Sequence, residues 1–300
     1  MNADPTPTPA PTLSGRVIAV TGAARGLGRS YVELLARLGA DVVASDIDTE
    51  ALADITTEPA TSGGTITAVA ADATSERGVD SILGTALDQH GRLDGVIANA
   101  GLLRSGPILR LTADDLDAVL AVHVRGTVLL TRAAGAHWRS EAAAGRPPRG
   151  SIVTTTSAAG LYGFRAEAIY SAAKAAVAAF TIVAADEYAR FGVTVNAVAP
   201  MARTRLTSWM PAPETGDDPM DPAHVAPLVA WLMGPDATDV TGRVFEAGGG
   251  RVSLPTGWTS GPEAELWSST DLTQVGATVR DLISTSPVGT PMLRATPTAG

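Results

Sequence analysis

The sequence predicts an α/β fold: a doubly wound parallel sheet of seven strands with helices on both faces. Three observations carry that expectation. Short β-branched runs alternate with stretches of helical periodicity along most of the chain. The runs are almost continuously apolar, as strands are when both sheet faces are covered. Several end in Asp, Asn, Ser or Gly, at the carboxyl ends where open α/β sheets bind ligands. Strand–helix–strand repeats imply right-handed crossovers and hence a parallel sheet.

The elements follow in order. Residues 1–12 (MNADPTPTPAPT) are rich in Pro and Thr without apolar periodicity, and read as a disordered leader. The strands are VIAVT (17–21), DVVASD (41–46), TITAVAAD (65–72), LDGVIANAG (93–101), SIVTTTS (151–157), VTVNAVAP (193–200) and RVFEAGGG (243–250). Helical spacing fills the intervals Leu27 to Leu38, Ser75 to Gln89, Thr112 to about Trp138, Tyr170 to Arg190 and Ala223 to Met233. These make one domain over 13–250. Residues 251–300 form a looser extension, in which Leu272, Val275, Val279 and Leu282 predict one helix over Asp271–Ile283. No repeat of 20–50 residues is visible.

Composition excludes several function classes. Of 300 residues, 45% are apolar, enough for a large core. The net charge of −9, without a basic block, speaks against nucleic acid and anionic membranes as partners. The absence of cysteine removes disulfides, thiolate nucleophiles and cysteine-ligated metals. The four histidines (His90, His123, His137, His224) show no ligand-spaced pair, so no metal is expected. No apolar run is expected to reach the roughly 20 residues that span a bilayer. The first basic residue is Arg16, so the start resembles neither a signal nor a transit peptide, and a cytoplasmic protein is expected.

The first strand runs into Thr21-Gly22-Ala23-Ala24-Arg25-Gly26-Leu27-Gly28. A glycine-rich turn between a strand and a helix lets backbone N–H groups and the helix N-terminus approach a pyrophosphate. The second strand ends at Asp46, with Ile47 behind it, where a carboxylate accepts hydrogen bonds from the adenosine ribose and repels a 2′-phosphate. That favours NAD. Arg25 pulls toward NADP, because a guanidinium in the turn can meet the phosphate. Asp72 and Ala73 follow the third strand, near an adenine, and Asn99-Ala100-Gly101 follow the fourth, where small residues let a cofactor lie against the backbone.

Ser157, Tyr170 and Lys174 form the most specific group. Tyr170 and Lys174 stand four apart on one helix face, and Ser157 closes the fifth strand 13 residues earlier. Exchanging hydride at a secondary alcohol or ketone requires a proton donor and acceptor beside the reacting carbon. A phenol of pKa about 10 is a weak base at neutral pH, and a neighbouring ammonium lowers that value. Lys174 is the only lysine among 22 basic residues, and it lies one helical turn from the tyrosine that needs it. The same ammonium can hold the ribose hydroxyls of the nicotinamide half, and Ser157 can hydrogen-bond the substrate oxygen.

TGAARGLG (21–28), NAG (99–101), Ser157 and YSAAK (170–174), in this order and at these intervals, resemble the short-chain dehydrogenase/reductase superfamily over about 13–250. The resemblance implies a Rossmann-type sheet, a nicotinamide cofactor, and dimers or tetramers paired through the helices near 112–138 and 170–190. SDID (45–48), VHVRGT (122–127), TSAAGLYG (156–163) and APMARTRLT (199–207) further resemble the (3R)-hydroxyacyl-CoA dehydrogenase part of peroxisomal multifunctional enzymes and its bacterial relatives. This implies NAD and a hydroxyacyl thioester, a steroid-like or a cyclic alcohol. His123 replaces the superfamily's usual asparagine, either in the proton relay or as a buried histidine satisfied by backbone carbonyls. Pro200-Met201 replaces proline-glycine, leaving Thr204 as the hydroxyl nearest the nicotinamide carboxamide.

The segment Arg203–Pro222 lies where an active-site cover would, with Trp209 and Met210 as pocket candidates and Arg203, Arg205 and Arg104 as candidates for acyl-CoA phosphates. The reading is an NAD-dependent oxidoreductase of a small-molecule alcohol or ketone, assembled as a homo-oligomer, a dimer of dimers. Two rivals stay open: an NADP-dependent ketoreductase, and a binding protein of the same fold that senses NAD(H) without turnover.

Overall fold

The apolar runs fold as strands β1 (Val17–Thr21), β2 (Asp41–Asp46), β3 (Ile66–Ala70), β4 (Gly95–Ala98), β5 (Ser151–Thr155), β6 (Thr194–Pro200) and β7 (Val244–Gly248). The computed structural model describes residues 13–55, 63–146, 149–207, 218–257, 263–264 and 272–285. An eighth strand, β8 (Arg251–Ser253), corrects the expected count of seven. It is the three-residue edge of the sheet, fully exposed and antiparallel to β7. Its shortness and exposure leave it without an apolar run, so nothing in the pattern marks it. The strand order is β3-β2-β1-β4-β5-β6-β7-β8, parallel from β3 through β7.

The helices are α1 (Gly26–Arg37), α2 (Thr49–Ala53), α3 (Glu76–His90), α4 (Ala113–Leu120), α5 (Gly126–Ala143), α6 (Ala158–Tyr162), α7 (Ala168–Ala189), α8 (Ala226–Leu232) and α9 (Leu272–Thr285). The single helix expected from Thr112 to about Trp138 is divided: a π-helical turn, Ala121–Arg125, separates α4 from α5 and carries His123. Such wide turns are common at functional sites. Local chemistry sets several boundaries. Thr112 and Asp115 form a reciprocal capping box at the start of α4. Ser75 accepts from the Gly78 N–H at the start of α3. The short α2 and α6 lack the length for a periodic signal and were not expected.

Side chains alternate across the sheet and build two core layers. Ile18 and Val20 of β1 point to one face, with Tyr31 and Leu35 of α1 and Val229 and Leu232 of α8. Val17 and Ala19 point to the other, with Ile82 of α3 and Leu130 and Trp138 of α5. Buried Trp138 satisfies its indole N–H on the Leu93 carbonyl at 2.8 Å.

α7 corrects the membrane-span reading of the sequence: by length and composition it is long and apolar enough to cross a bilayer. Its buried stripe is Ala173, Lys174, Val177, Thr181, Ala184 and Ala185, while Ile182 and Val183 lie exposed. Alanine on both faces makes the helix apolar all round.

Two compact units divide the chain, 1–254 and 255–300. Within the second, α9 lies where the Val275/Val279/Leu282 spacing places a helix, and Val279 and Ile283 are exposed. The proposed leader and the pocket candidates Trp209 and Met210 lie outside the described residues.

Candidate active site

The strand order reverses at the β1–β4 boundary, and the crevice at the carboxyl ends of these strands is where open sheets of this type bind ligands. The glycine turn and Asn99–Gly101 meet there. A Cβ on Gly22 would lie 2.7 Å from the Ala100 Cα, and one on Gly28 would lie 2.0 Å from the Gly22 carbonyl oxygen. Only glycine permits this approach. Asn99 ties the two strand ends together, donating from Nδ2 to the carbonyls of Thr21 and Gly22, both at 3.1 Å. No side chain caps α1, leaving its first-turn N–H groups as donors beside the turn. Thr204 comes over the same turn, its Cγ2 at 3.3 Å from where a Gly26 Cβ would sit, and its Oγ1 accepts from the Leu206 N–H. Pro200 ends β6, paired with Ala247 of β7.

Asp46 is pinned at the end of β2. Its Oδ2 accepts from the Ala24 N–H and its Oδ1 from the Asp48 N–H, each at 3.0 Å. Ile47 beside it is 74% exposed. Arg25 pairs with Asp48, at 3.0 Å from Nη2. Asp72 is exposed and accepts from the Thr74 N–H, turning the chain toward Ala73 and α3. These features bring close backbone, an uncapped helix start and a fixed carboxylate together at the second strand end.

The catalytic candidates gather on the β5, α6 and α7 side. Ser157 caps α6, accepting from the Ala159 N–H at 3.1 Å. Lys174 is buried, with Nζ donating to the Thr155 carbonyl at 2.6 Å and lying 5.7 Å from the Tyr170 ring centre. Burial pushes the ammonium down to about 7. Burial likewise pushes the Tyr170 phenol up to about 12, opposed by a hydrogen bond from Ser157. The phenol therefore departs from the expected lowering. Desolvation by the packed α6–α7 corner outweighs the hydroxyl that stabilises phenolate.

His123 meets Tyr170 edge to face, with ring centres 5.2 Å apart. Its Nε2 lies 2.7 Å from the Leu102 carbonyl oxygen and 3.2 Å from the Leu102 N–H, while its buried Nδ1 has no protein partner. Burial first, and then Lys174, push the imidazole down to about 3, so the ring is neutral at physiological pH. The backbone-satisfied reading of this histidine thus accounts for one ring nitrogen and not the other.

The chain matches the short chain dehydrogenase family over residues 16–210, which contain the glycine turn, Ser157, Tyr170 and Lys174. The chain belongs to that family. As a short chain dehydrogenase it is an oxidoreductase with a nicotinamide cofactor. It is 40% identical to hydroxyacyl-CoA dehydrogenase ChsB1 of Mycobacterium tuberculosis, over 93% of this chain and 92% of that one. It is 36% identical to mouse peroxisomal multifunctional enzyme type 2, over 79% of this chain but only 32% of that longer protein. Among solved structures, a short chain dehydrogenase from Mycobacterium avium superposes with a TM-score of 0.85 at 36% identity, covering 95% of this chain and all of that one. A 3-ketoacyl-(acyl-carrier-protein) reductase from Brucella melitensis, complexed with NADH, superposes at 0.70 with 28% identity, over 78% of this chain and 97% of that one.

Several supporting residues of this dehydrogenase escape sequence reasoning. Thr155 supplies the carbonyl for Lys174, and Thr156 Oγ1 donates to the Lys174 carbonyl at 2.7 Å. Gly160 lets α6 press against α7: its Cβ would lie 2.6 Å from the Lys174 backbone. Neighbouring threonines and a lone glycine carry no spacing signal that would single them out. Two arginines named for acyl-CoA phosphates have acidic partners, Arg203 with Asp218 at 2.7 Å and Arg104 with Asp115 at 3.6 Å.

Proposed function

We propose that this chain is an NAD-dependent dehydrogenase that interconverts a secondary alcohol and its ketone, with a 3-hydroxyacyl thioester as the favoured substrate class. The observation that carries the reading is the Ser157/Tyr170/Lys174 corner, assembled at the carboxyl ends of the strands. Tyr170 Oη takes the alcohol proton during oxidation and returns it during reduction. Ser157 hydrogen-bonds the substrate oxygen and offsets part of the rise that burial imposes on the phenol. Lys174 favours phenolate whenever it is protonated and holds ribose hydroxyls through its remaining donors. His123, neutral and edge-on to Tyr170, fixes the ring and offers its Nδ1 to the proton path.

Gly22, Gly26, Leu27 and Gly28 would hold the pyrophosphate, and Asp46 the adenosine ribose with Ile47 beside it. Asp72 and Ala73 would lie along the adenine, Asn99–Gly101 along the dinucleotide backbone, and Pro200 and Thr204 toward the nicotinamide half. A bound nicotinamide supplies the two-electron oxidant or reductant. NAD is favoured over NADP because Asp46 is fixed by two backbone N–H groups and Arg25 is tied to a carboxylate. The thioester class is supported by the name and 40% identity of the mycobacterial relative. A homo-oligomer of two-fold contacts is part of the same reading.

A panel of hydroxyacyl thioesters, steroids and cyclic alcohols, followed by absorbance of reduced nicotinamide, tests the function. Turnover with at least one class is expected, with NAD preferred at least about tenfold in kcat/KM, a difference of only about 1.4 kcal/mol. Replacing Tyr170 by Phe should lower kcat about 10²- to 10⁴-fold while leaving NAD binding nearly intact. Retained activity in that variant would remove Tyr170 from the chemistry.

A further inference from the structure

We infer that Asp48 is a specificity-determining residue: by engaging Arg25 it cancels the one positive charge of the glycine turn and keeps the site selective against a 2′-phosphate. The inference rests on the NAD reading above.

The geometry runs through four adjoining contacts. Asp46, fixed by the Ala24 N–H, accepts from the Asp48 N–H at 3.0 Å. Asp48 Oδ1 in turn caps α2 by accepting from the Ala51 N–H at 3.0 Å. Its Oδ2 receives both Nε and Nη2 of Arg25, at 3.2 and 3.0 Å. The carboxylate is therefore held from its backbone, from the helix and from the guanidinium at once. Its carboxyl lies below the ordinary range, first through the Ala51 N–H, then through Arg25, with Arg205 contributing. Asp48 thus lies against the Arg25 guanidinium, within electrostatic reach of Arg205 and two residues beyond Asp46.

An exposed pair of this kind contributes little to stability. Its effect is on local charge and on where Arg25 can reach. Without the Asp48 charge, the Arg25 guanidinium would lose its acidic partner and could pair with a phosphomonoester. Asp46 alone then no longer decides the cofactor. Arg25, which the motif alone reads as favouring NADP, is disarmed by its acidic partner two residues beyond Asp46.

The test measures dissociation constants of NAD⁺ and NADP⁺ by calorimetry on the full chain, in the parent, Asp48→Ser, Asp48→Asn, Arg25→Ala and the Asp48→Ser/Arg25→Ala double variant. Serine and asparagine both keep an oxygen that caps α2 while removing the charge, and circular dichroism verifies folding. NADP⁺ should bind about tenfold tighter to both Asp48 variants, on the scale of one charge-assisted hydrogen bond, with NAD⁺ changed less than about twofold. The gain should disappear when Arg25 is also replaced. An unchanged ratio in both Asp48 variants overturns the inference and leaves the NAD reading standing. So does a gain that survives loss of Arg25, because Asp48 would then act by direct repulsion. A parent chain that binds neither dinucleotide, or prefers NADP⁺, overturns the NAD reading and with it the inference.

Discussion

Lys174 shows at the residue scale how the site opposes the stability of the fold. An ammonium ordinarily titrating at 10.5 is buried on the Thr155 carbonyl, and its pKa falls to about 7. Between those two values the unfolded chain binds more protons at this position than the folded one, so stability rises with pH across that window. Below about 7 the full cost of burying the charge is present. Lys174→Met removes that cost and fills the same space. It should melt at a higher temperature than the parent at pH 6–7, with the gap narrowing steadily toward pH 10. Activity should be lost at every pH. Thermal melts of both proteins at several pH values check this, and a gap that widens with pH would contradict the assignment. Asp46 is fixed by backbone donors on both carboxylate oxygens, so its position depends on the turn rather than on its own rotamer.

The corner between α6 and α7 governs geometry at the element scale. α6 is a single turn capped by Ser157, and it lies against the helix that carries Tyr170 and Lys174. Gly160 allows that approach. A Cβ there would lie 2.6 Å from the Lys174 carbonyl carbon and 2.6 Å from its Cβ, so α7 must shift or α6 must unwind. Gly160→Ala should destabilise by about 1–3 kcal/mol, the usual cost of overpacking. For a domain of this size the melting temperature should fall by roughly 2–12 °C. The rate should fall at saturating cofactor, because Ser157 and Lys174 lose their shared reference. A variant with parental melting temperature and kcat would show that the corner tolerates a methyl group. The π-helical turn before α5 has a comparable role, since it holds His123 edge-on to Tyr170 and against Leu102.

At the scale of the whole molecule, the unit 1–254 covers both faces of its sheet and still leaves apolar surface on its helices. Ile182 and Val183 of α7 are each 55% exposed, and Leu116 and Leu120 of α4 are 41% and 36% exposed. Ala175, Ala176 and Ala179 of α7 are exposed too and would let another helix approach closely. Such a face is expected to pair with a second copy of this chain in a closed two-fold arrangement. Light scattering at micromolar concentration should give a mass of two or four times 30.5 kDa. Ile182→Asp should shift the population toward smaller species, because an unpaired charge in an apolar interface is costly. A monomer mass for the parent protein would end the proposal.

The seven parallel strands, most of the long helices between them and the catalytic candidates were legible in the sequence. Apolar runs, helical periods and the YSAAK spacing are local properties, fixed by what neighbouring residues can bury or place on one face. Tyr170 and Lys174 needed only one helical turn to be related, and the glycine turn needed only its place after a strand. What tertiary structure alone decided depends on residues distant in the chain. β8 exists because β7 offers it an edge, not because its three exposed residues favour a strand. The π-helical turn carries His123 to Tyr170 and to the Leu102 carbonyl, and no period of the sequence reports it. Tyr170 and Lys174 owe their shifted pKa values to desolvation by α6, the sheet and neighbouring helices, and burial of that kind has no local signature. Arg25 shows the same division within one residue. Its charge and its place in the turn are sequence properties, whereas the carboxylate that engages it lies 23 residues away and is brought there by the pairing of β1 with β2.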